Sequence, residues 1–341
     1  MTPRIALVLG DPTGVGPELV AKLLADSEAA GAAEVLLVGS RDEWRRGQEI
    51  AGVEVEATEA ASLGEVEWAP GRPALHHLPL PSGPLPFGEV SAEAGRHCLE
   101  ALGIGLDLAA DGRVGALCFA PLNKAALRAG GNPHGDELHW FAERLGVDGY
   151  VGEINVVEDL WTARATSHIA LREVAAHLTA EAIVDAVVLI DAALRDAGVA
   201  EPRIALCCLN PHCSDGGAFG DEERTVIEPA AARARERVAH VLGPYPADTI
   251  FMRARDERFD AIVTMYHDQG QIALKLLGVD GGVTLQGGLP VPITTPAHGT
   301  AFDIAGQGRA HPGAMRRAFD LACRMAERRA RKHMNTFTVT G

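Results

Sequence analysis

A recurring unit constrains this chain more than anything else: a short apolar run, closed by a glycine, proline or polar turn, then a stretch with helical periodicity. The runs are Arg4 to Gly10 (RIALVLG), Ala33 to Gly39 (AEVLLVG), Val114 to Phe119 (VGALCF), Arg203 to Leu209 (RIALCCL) and Phe259 to Val263 (FDAIV). Runs this short and this apolar read as strands buried on both faces. Helical periodicity follows from Leu19, over Ser91 to Asp107, His139 to Leu145, Thr179 to Ala197 and Glu222 to Val241, and last over Ala314 to Lys332. Alternation of this kind predicts an α/β fold with a mostly parallel sheet covered by helices on both faces. Residues 53–90 are Pro-rich and poor in periodicity, so they read as irregular or edge structure, with His76 and His77 facing solvent.

With 341 residues, 47% of them apolar, the chain can bury a full core as one large unit or two domains. A net charge of −15 argues against a nucleic-acid or anionic-membrane partner, though not against a local cationic pocket. Cys98, Cys118, Cys207, Cys208, Cys213 and Cys323 form no CxxC pair, and Cys118 and Cys207 lie in apolar runs. That is the usage of a reducing compartment. The apolar run after Arg4 is too short for a signal peptide or membrane span. The expectation is a cytoplasmic protein.

Chemistry-bearing residues sit where the runs end. After Phe259 to Val263 comes Thr264-Met265-Tyr266-His267-Asp268-Gln269-Gly270, then Lys275. His168 follows Ala165-Thr166-Ser167, and His212 follows Asn210-Pro211. A single histidine beside a strand is ordinarily a hydrogen-bonded core residue. Three in similar settings form a possible catalytic metal set, although spacings of 44 and 55 residues leave only the fold to bring them together. His97, His134, His139, His177, His240, His311 and His333 fall in no comparable setting. Gly10 to Glu18 (GDPTGVGPE) is a glycine turn into a helix; it can hold an anion or serve as a tight strand-to-helix connection. His298 to Gly308 (HGTAFDIAGQG) can wrap a nucleotide with backbone groups, or be a glycine-punctuated turn before the last helix.

In order, GDPTGVGPE, APLNK (Ala120–Lys124), SHIALREV (Ser167–Val174), NPHCSDGGAFGDEE (Asn210–Glu223), GPYPADTIF (Gly243–Phe251), MYHDQG with Lys275, and HGTAFDIAGQG resemble the 4-hydroxythreonine-4-phosphate dehydrogenase family over nearly the whole chain. The first and last motifs also resemble those of isopropylmalate and isocitrate dehydrogenases. The resemblance implies a two-lobed α/β/α enzyme, with residues 1–125 plus 290–341 as the cofactor lobe and 126–289 as the metal and dimer lobe. It implies one divalent metal, zinc the expected ion, on His168, His212 and His267. Asp248 and Asp268 would lie near it as bases or orienting partners, and Lys275 would bind substrate. It implies a nicotinamide cofactor, NAD or else NADP, on a loop including His298, Gly299, Thr300, Asp303 and Gly306. A homodimer would complete each active site in a cleft between lobes.

The chain departs from the family pattern at four substrate positions. Glu137 and Leu138 stand where a His and a Thr are usual, and Thr284 and Ile293 where an Asn and an Arg are usual. Taken as pocket residues, they predict a small anionic carboxylate substrate rather than a phosphate. The chain thereby looks closer to the terephthalate cis-dihydrodiol dehydrogenase branch, which oxidises and decarboxylates its substrate to a catechol acid. The alternative is the phosphorylated hydroxythreonine of vitamin B6 synthesis.

Overall fold

In the computed structural model, which describes residues 2–278 and 281–338, the apolar runs are parallel strands. The chain divides into two compact units, Met1–Asp148 with Val283–Gly341, and Gly149–Gly282. Unit 1 opens with β1 (Arg4–Val8), α1 (Gly16–Ala25), α2 (Ser27–Ala32), β2 (Glu34–Gly39), α3 (Arg41–Ala51), β3 (Thr58–Glu59), β4 (Ala74–His77), α4 (Ala92–Ala110), β5 (Ala116–Phe119), α5 (Lys124–Gly130) and α6 (Glu137–Arg144). Unit 2 carries β6 (Gly152–Val157), β7 (Leu160–Arg164), α7 (Val174–His177), α8 (Ala180–Ala197), β8 (Ile204–Cys207), α9 (Glu228–Arg237), β9 (Val241–Tyr245), α10 (Ala247–Glu257), β10 (Ala261–Thr264) and α11 (His267–Leu277). The chain returns to unit 1 with β11 (Val283–Gly287), β12 (Ile293–Pro296) and α12 (Gly313–Thr338).

Strand order in unit 1 is β3-β4-β2-β1-β5-β12-β11, parallel except for the β11–β12 pair. Unit 2 has the order β6-β7-β10-β8-β9, with only β6–β7 antiparallel. The mostly parallel α/β architecture is therefore the one its periodicity predicts. Short polar side chains start the helices. Ser91 caps α4, Asn123 caps α5, Asp136 caps α6 and Thr179 caps α8, each accepting a first-turn N–H, and Ser40 forms a capping box with Glu43 ahead of α3. Leu36, Leu102, Leu106, Leu117, Phe119, Phe141 and Ile293 lie in the unit 1 core, with the Phe119 and Phe141 rings 5.9 Å apart.

The structure differs from the sequence reading in several places. Residues 126–148 and 283–289 belong to unit 1, because Phe141 of α6 packs in that core and β11 pairs with β12. Part of the Pro-rich segment pairs in the sheet: β4 lies parallel to β2, and His76 and His77 are half-buried on it. The single helix expected over Glu222 to Val241 is a π turn, then α9, then the start of β9. The Gly-Pro inside β9 masks the strand signal, and the strand pairs with β8. The β6–β7 hairpin carried no recognised signal. Cys208 and Cys213, counted in the cysteine usage of a reducing compartment, are joined by a disulfide. Cys118 and Cys207 are buried hydrophobes as expected, and burial pushes both thiols up to about 12. Among the described residues no helix is long and apolar enough to cross a membrane.

Candidate functional site

The three histidines leave the carboxyl ends of three adjacent parallel strands of unit 2. β10 lies between β7 and β8, in register Ala261 with Trp161 and with Ile204. His267 begins α11 directly after β10, His168 follows β7, and His212 follows β8. This edge is where open parallel sheets present ligand-binding groups. The rings of His168 and His267 are 5.5 Å apart, centre to centre. His168 and His212 are exposed and His267 is half-buried. His267 Nδ1 is 2.8 Å from Asp268 Oδ1, an arrangement that leaves Nε2 to face a ligand. Paired imidazoles of this kind fit two positions on one divalent ion. Among the described residues, no three His, Cys, Asp or Glu side chains of the single chain converge tightly enough to hold one. The single chain therefore gathers two of the three expected donors.

The turns that carry these histidines are built on unusual backbone. His168 has φ 26°, and His212, Cys213, Ser214 and Asp215 form a left-handed series with φ of 45 to 69°. For non-glycine residues each such conformation costs about 1–2 kcal/mol. Buried polar groups that the sequence did not single out hold the turns in place. Glu223 accepts from Leu209 N (2.9 Å), Asn210 N (2.7 Å) and Asn210 Nδ2 (2.9 Å), and also from Ser214 Oγ. Burial alone would raise its pKa, but the bonds from Asn210 and Ser214 outweigh that and hold it below the usual value. Arg164 binds Ser167 Oγ beside His168, and also Asn155 and Glu153. The remaining unit 2 candidates are exposed: Asp268, Lys275 on the last turn of α11, and Asp248 on the first turn of α10.

In unit 1 the structure brings the glycine turn and the His298 loop together. Val15 N donates to Thr300 O at 3.1 Å, and a Cβ on Gly14 would lie 2.7 Å from Thr300 Cβ. Gly306 has φ +79°, and a Cβ there would meet the Phe87 ring at 2.5 Å. Lys22 fastens the end of the loop, donating to the carbonyls of Gly308 and Ala310 and to Glu18. His298 Nδ1 lies 2.9 Å from Gly299 O, and Asp303 is exposed. Asp11 is fully buried, its carboxylate accepting from Thr13 N and Oγ1, and burial raises its pKa. The turn is thus a tight strand-to-helix connection closed by the Asp11–Thr13 bonds. A buried His97–Glu43 pair at 2.9 Å stands behind it, at a histidine the sequence reading set aside.

The four substrate positions also lie in unit 1. Gln286 Nε2 reaches Glu137 Oε1 at 3.4 Å, and Thr284, two residues earlier on β11, shares that face. Gln286 was not foreseen, because a lone polar residue in an apolar strand carries no motif. Ile293 is 0% exposed within the core, and Leu138 is 3% exposed. Neither forms an apolar wall for a flat ring, so half of the argument for a carbocyclic substrate disappears.

Over residues 31–322 the chain matches the family described as "Pyridoxal phosphate biosynthetic protein PdxA". A Pseudomonas aeruginosa protein provisionally named 4-hydroxythreonine-4-phosphate dehydrogenase 2 is 54% identical, covering 96% of this chain and 98% of that protein. A Symbiobacterium thermophilum protein provisionally named D-threonate 4-phosphate dehydrogenase is 35% identical, covering 95% and 97%. The crystal structure of 4-hydroxythreonine-4-phosphate dehydrogenase from Klebsiella pneumoniae has a TM-score of 0.84 at 37% identity, covering 96% of this chain and 98% of that one. Terephthalate 1,2-cis-dihydrodiol dehydrogenase from Burkholderia xenovorans is more distant, with a TM-score of 0.65 at 28% identity over 94% and 98%. These likenesses overturn the dihydrodiol expectation, and with it the carboxylate substrate. They favour the phosphorylated alternative. The reading erred by treating buried Leu138 and Ile293 as pocket chemistry, when their apolar character serves the core. By motif, fold and identity together, this chain belongs to the PdxA family.

Proposed function

We infer that this chain is a metal-dependent, nicotinamide-linked dehydrogenase of a phosphorylated hydroxy acid, with 4-hydroxythreonine 4-phosphate the first candidate. The observation that carries the reading is the arrival of His168, His267 and His212 at the ends of three adjacent parallel strands. Kinship with proteins named for that substrate supports it. A divalent ion there, zinc in the first instance, would polarise the substrate hydroxyl and lower its pKa. Asp268 is engaged with His267 Nδ1, so its part is to orient that ring. Asp248 is then the carboxylate left to take the hydroxyl proton. Lys275 binds an anionic group of the substrate. The 298–308 loop would hold NAD, or NADP, which would supply the hydride acceptor. A hydroxyl one carbon from a carboxylate-bearing carbon gives a β-keto acid, which loses CO₂ with little further help.

The missing donor would come from a second copy. Unit 2 exposes Leu171, Met252, Ile272, Leu276 and Leu277, with Leu276 at 78%. Apolar residues so exposed support a homodimer contact. The complementation test mixes a His212→Ala chain with a His168→Ala/His267→Ala chain. Recovery of activity above either parent supports donors shared across subunits, and no recovery removes that arrangement.

Steady-state reduction of NAD with 4-hydroxythreonine 4-phosphate tests the substrate. D-threonate 4-phosphate, which has a hydroxyl where the first compound has an amine, belongs in the same assay because a relative is named for it. Metal-dependent turnover of either phosphorylated acid is expected. No turnover of either would overturn the reading.

A further inference from the structure

We propose that Gln269 is a positioning residue that ties the His212 turn and the His267 turn to one another in each chain, and thereby fixes the metal donors that each chain presents. The inference rests on the histidine metal site argued above. Gln269 spans two of the three histidine turns. Its Oε1 accepts from Met265 N at 2.8 Å, two residues before His267. Its Nε2 donates to Cys208 O at 2.8 Å, four residues before His212. Both partners fix the orientation of the amide, since a backbone N–H can only donate and a carbonyl can only accept. Met265 extends the brace to the third turn, because its carbonyl accepts from Thr166 N (3.1 Å) and Thr166 Oγ1 (2.7 Å), two residues before His168. A single hydrogen-bonded line therefore runs from Cys208 through Gln269 and Met265 to Thr166.

The brace matters because the His168 and His212 turns lie outside the strands and α-helices. His168 and His212 sit at positive φ, and His168 and His212 are exposed, so their own packing does little to fix them. A ligand held within a few tenths of an ångström needs support from behind, and outer partners of metal ligands typically change affinity by about 10- to 100-fold. Both of these bonds go to backbone groups of the histidine turns, so the effect of Gln269 passes through the histidines.

The experiment uses the full-length protein and zinc as the probe, with affinity measured by competition against a chromophoric chelator. Gln269→Leu removes both bonds. Gln269→Glu keeps the acceptor for Met265 N and replaces the donor facing Cys208 O. Gln271→Leu is the control, on the same helix; its amide bonds Asn155 Oδ1, and the substitution leaves the Arg164–Asn155 bond behind the His168 turn in place. The expected result is zinc binding weakened about 10- to 100-fold in Gln269→Leu and at least about fivefold in Gln269→Glu, with thermal unfolding close to wild type and kcat reduced more than the KM for NAD is raised. Gln271→Leu should bind zinc like wild type. Should Gln269→Leu fail to fold, the near-isosteric Gln269→Glu decides alone. Binding within twofold of wild type in the Gln269 variants, or an equal loss in Gln271→Leu, overturns the positioning role while leaving the metal site standing. A wild-type protein that binds zinc no better than His267→Ala overturns the metal site, and this inference with it.

Discussion

The glycine turn with its docked 298–308 loop in unit 1, and the three histidine turns in unit 2, are both motif-rich, yet they use their motifs in opposite ways. In unit 1 much of the motif is structure. Asp11 and Thr13 are fully buried and bonded to each other, Gly14 and Gly306 sit where a Cβ would strike Thr300 or Phe87, and Thr300 O ties the loop to Val15 N. In unit 2 the motif side chains face outward. His168, His212, Asp268 and Lys275 are all exposed, and the structure behind them comes from Gln269, Thr166, Arg164 and Glu223. Reactive groups must meet a ligand and so cannot bury themselves. Their geometry has to be imposed by neighbours, and part of the cost appears as left-handed backbone at His168 and His212.

The comparison breaks first at the histidines. His267→Ala should lower kcat by at least about 100-fold, beyond the usual effect of an orienting partner, with Tm nearly unchanged because the ring is not a core residue. Metal analysis alongside kinetics checks this, and a metal-replete variant with near-normal turnover would remove His267 from the site. Next comes Lys275→Ala. Loss of a charge-assisted bond worth about 1.5–3 kcal/mol should raise the substrate KM roughly 10- to 100-fold and leave stability alone. In unit 1 the signature should reverse. Gly306→Ala combines positive φ with a Cβ 2.5 Å from Phe87, so denaturant unfolding should register a loss of about 1–3 kcal/mol. If it instead left stability intact while abolishing turnover, the contrast between the two regions would not hold.

The smallest effect tests the support behind His212. The folded-state pKa of Glu223 lies below the unfolded value near 4.5, so its stabilisation is present above that pH and is lost as pH falls through the lower folded value. Glu223→Gln should be about 1–2 kcal/mol less stable than wild type at pH 7, with the gap narrowing below pH 4.5. Urea unfolding at pH 7 and at pH 4 measures it. A gap that widens in acid would show that the carboxylate is not the stabilising form.

By itself the sequence determined the elements whose signal is local. Apolar runs such as Ile5–Leu9 and Ala261–Val263 mark buried parallel strands. Ser91, Asp136 and Thr179 mark helix starts, since a cap needs only its own first turn. It also marked His168, His212 and His267 as turn residues, and its ordered motifs pointed to the right family. Tertiary structure alone decided which residues meet. Strand order β7-β10-β8 brings three histidines from distant segments to one edge, and the hydrogen bonds of Gln269 and Glu223 join turns that no local pattern connects. It also decided which face a residue presents. Ile293 and Leu138 read as a pocket only until their burial is known, because an apolar side chain is spelled the same way whether it lines a ligand or fills a core.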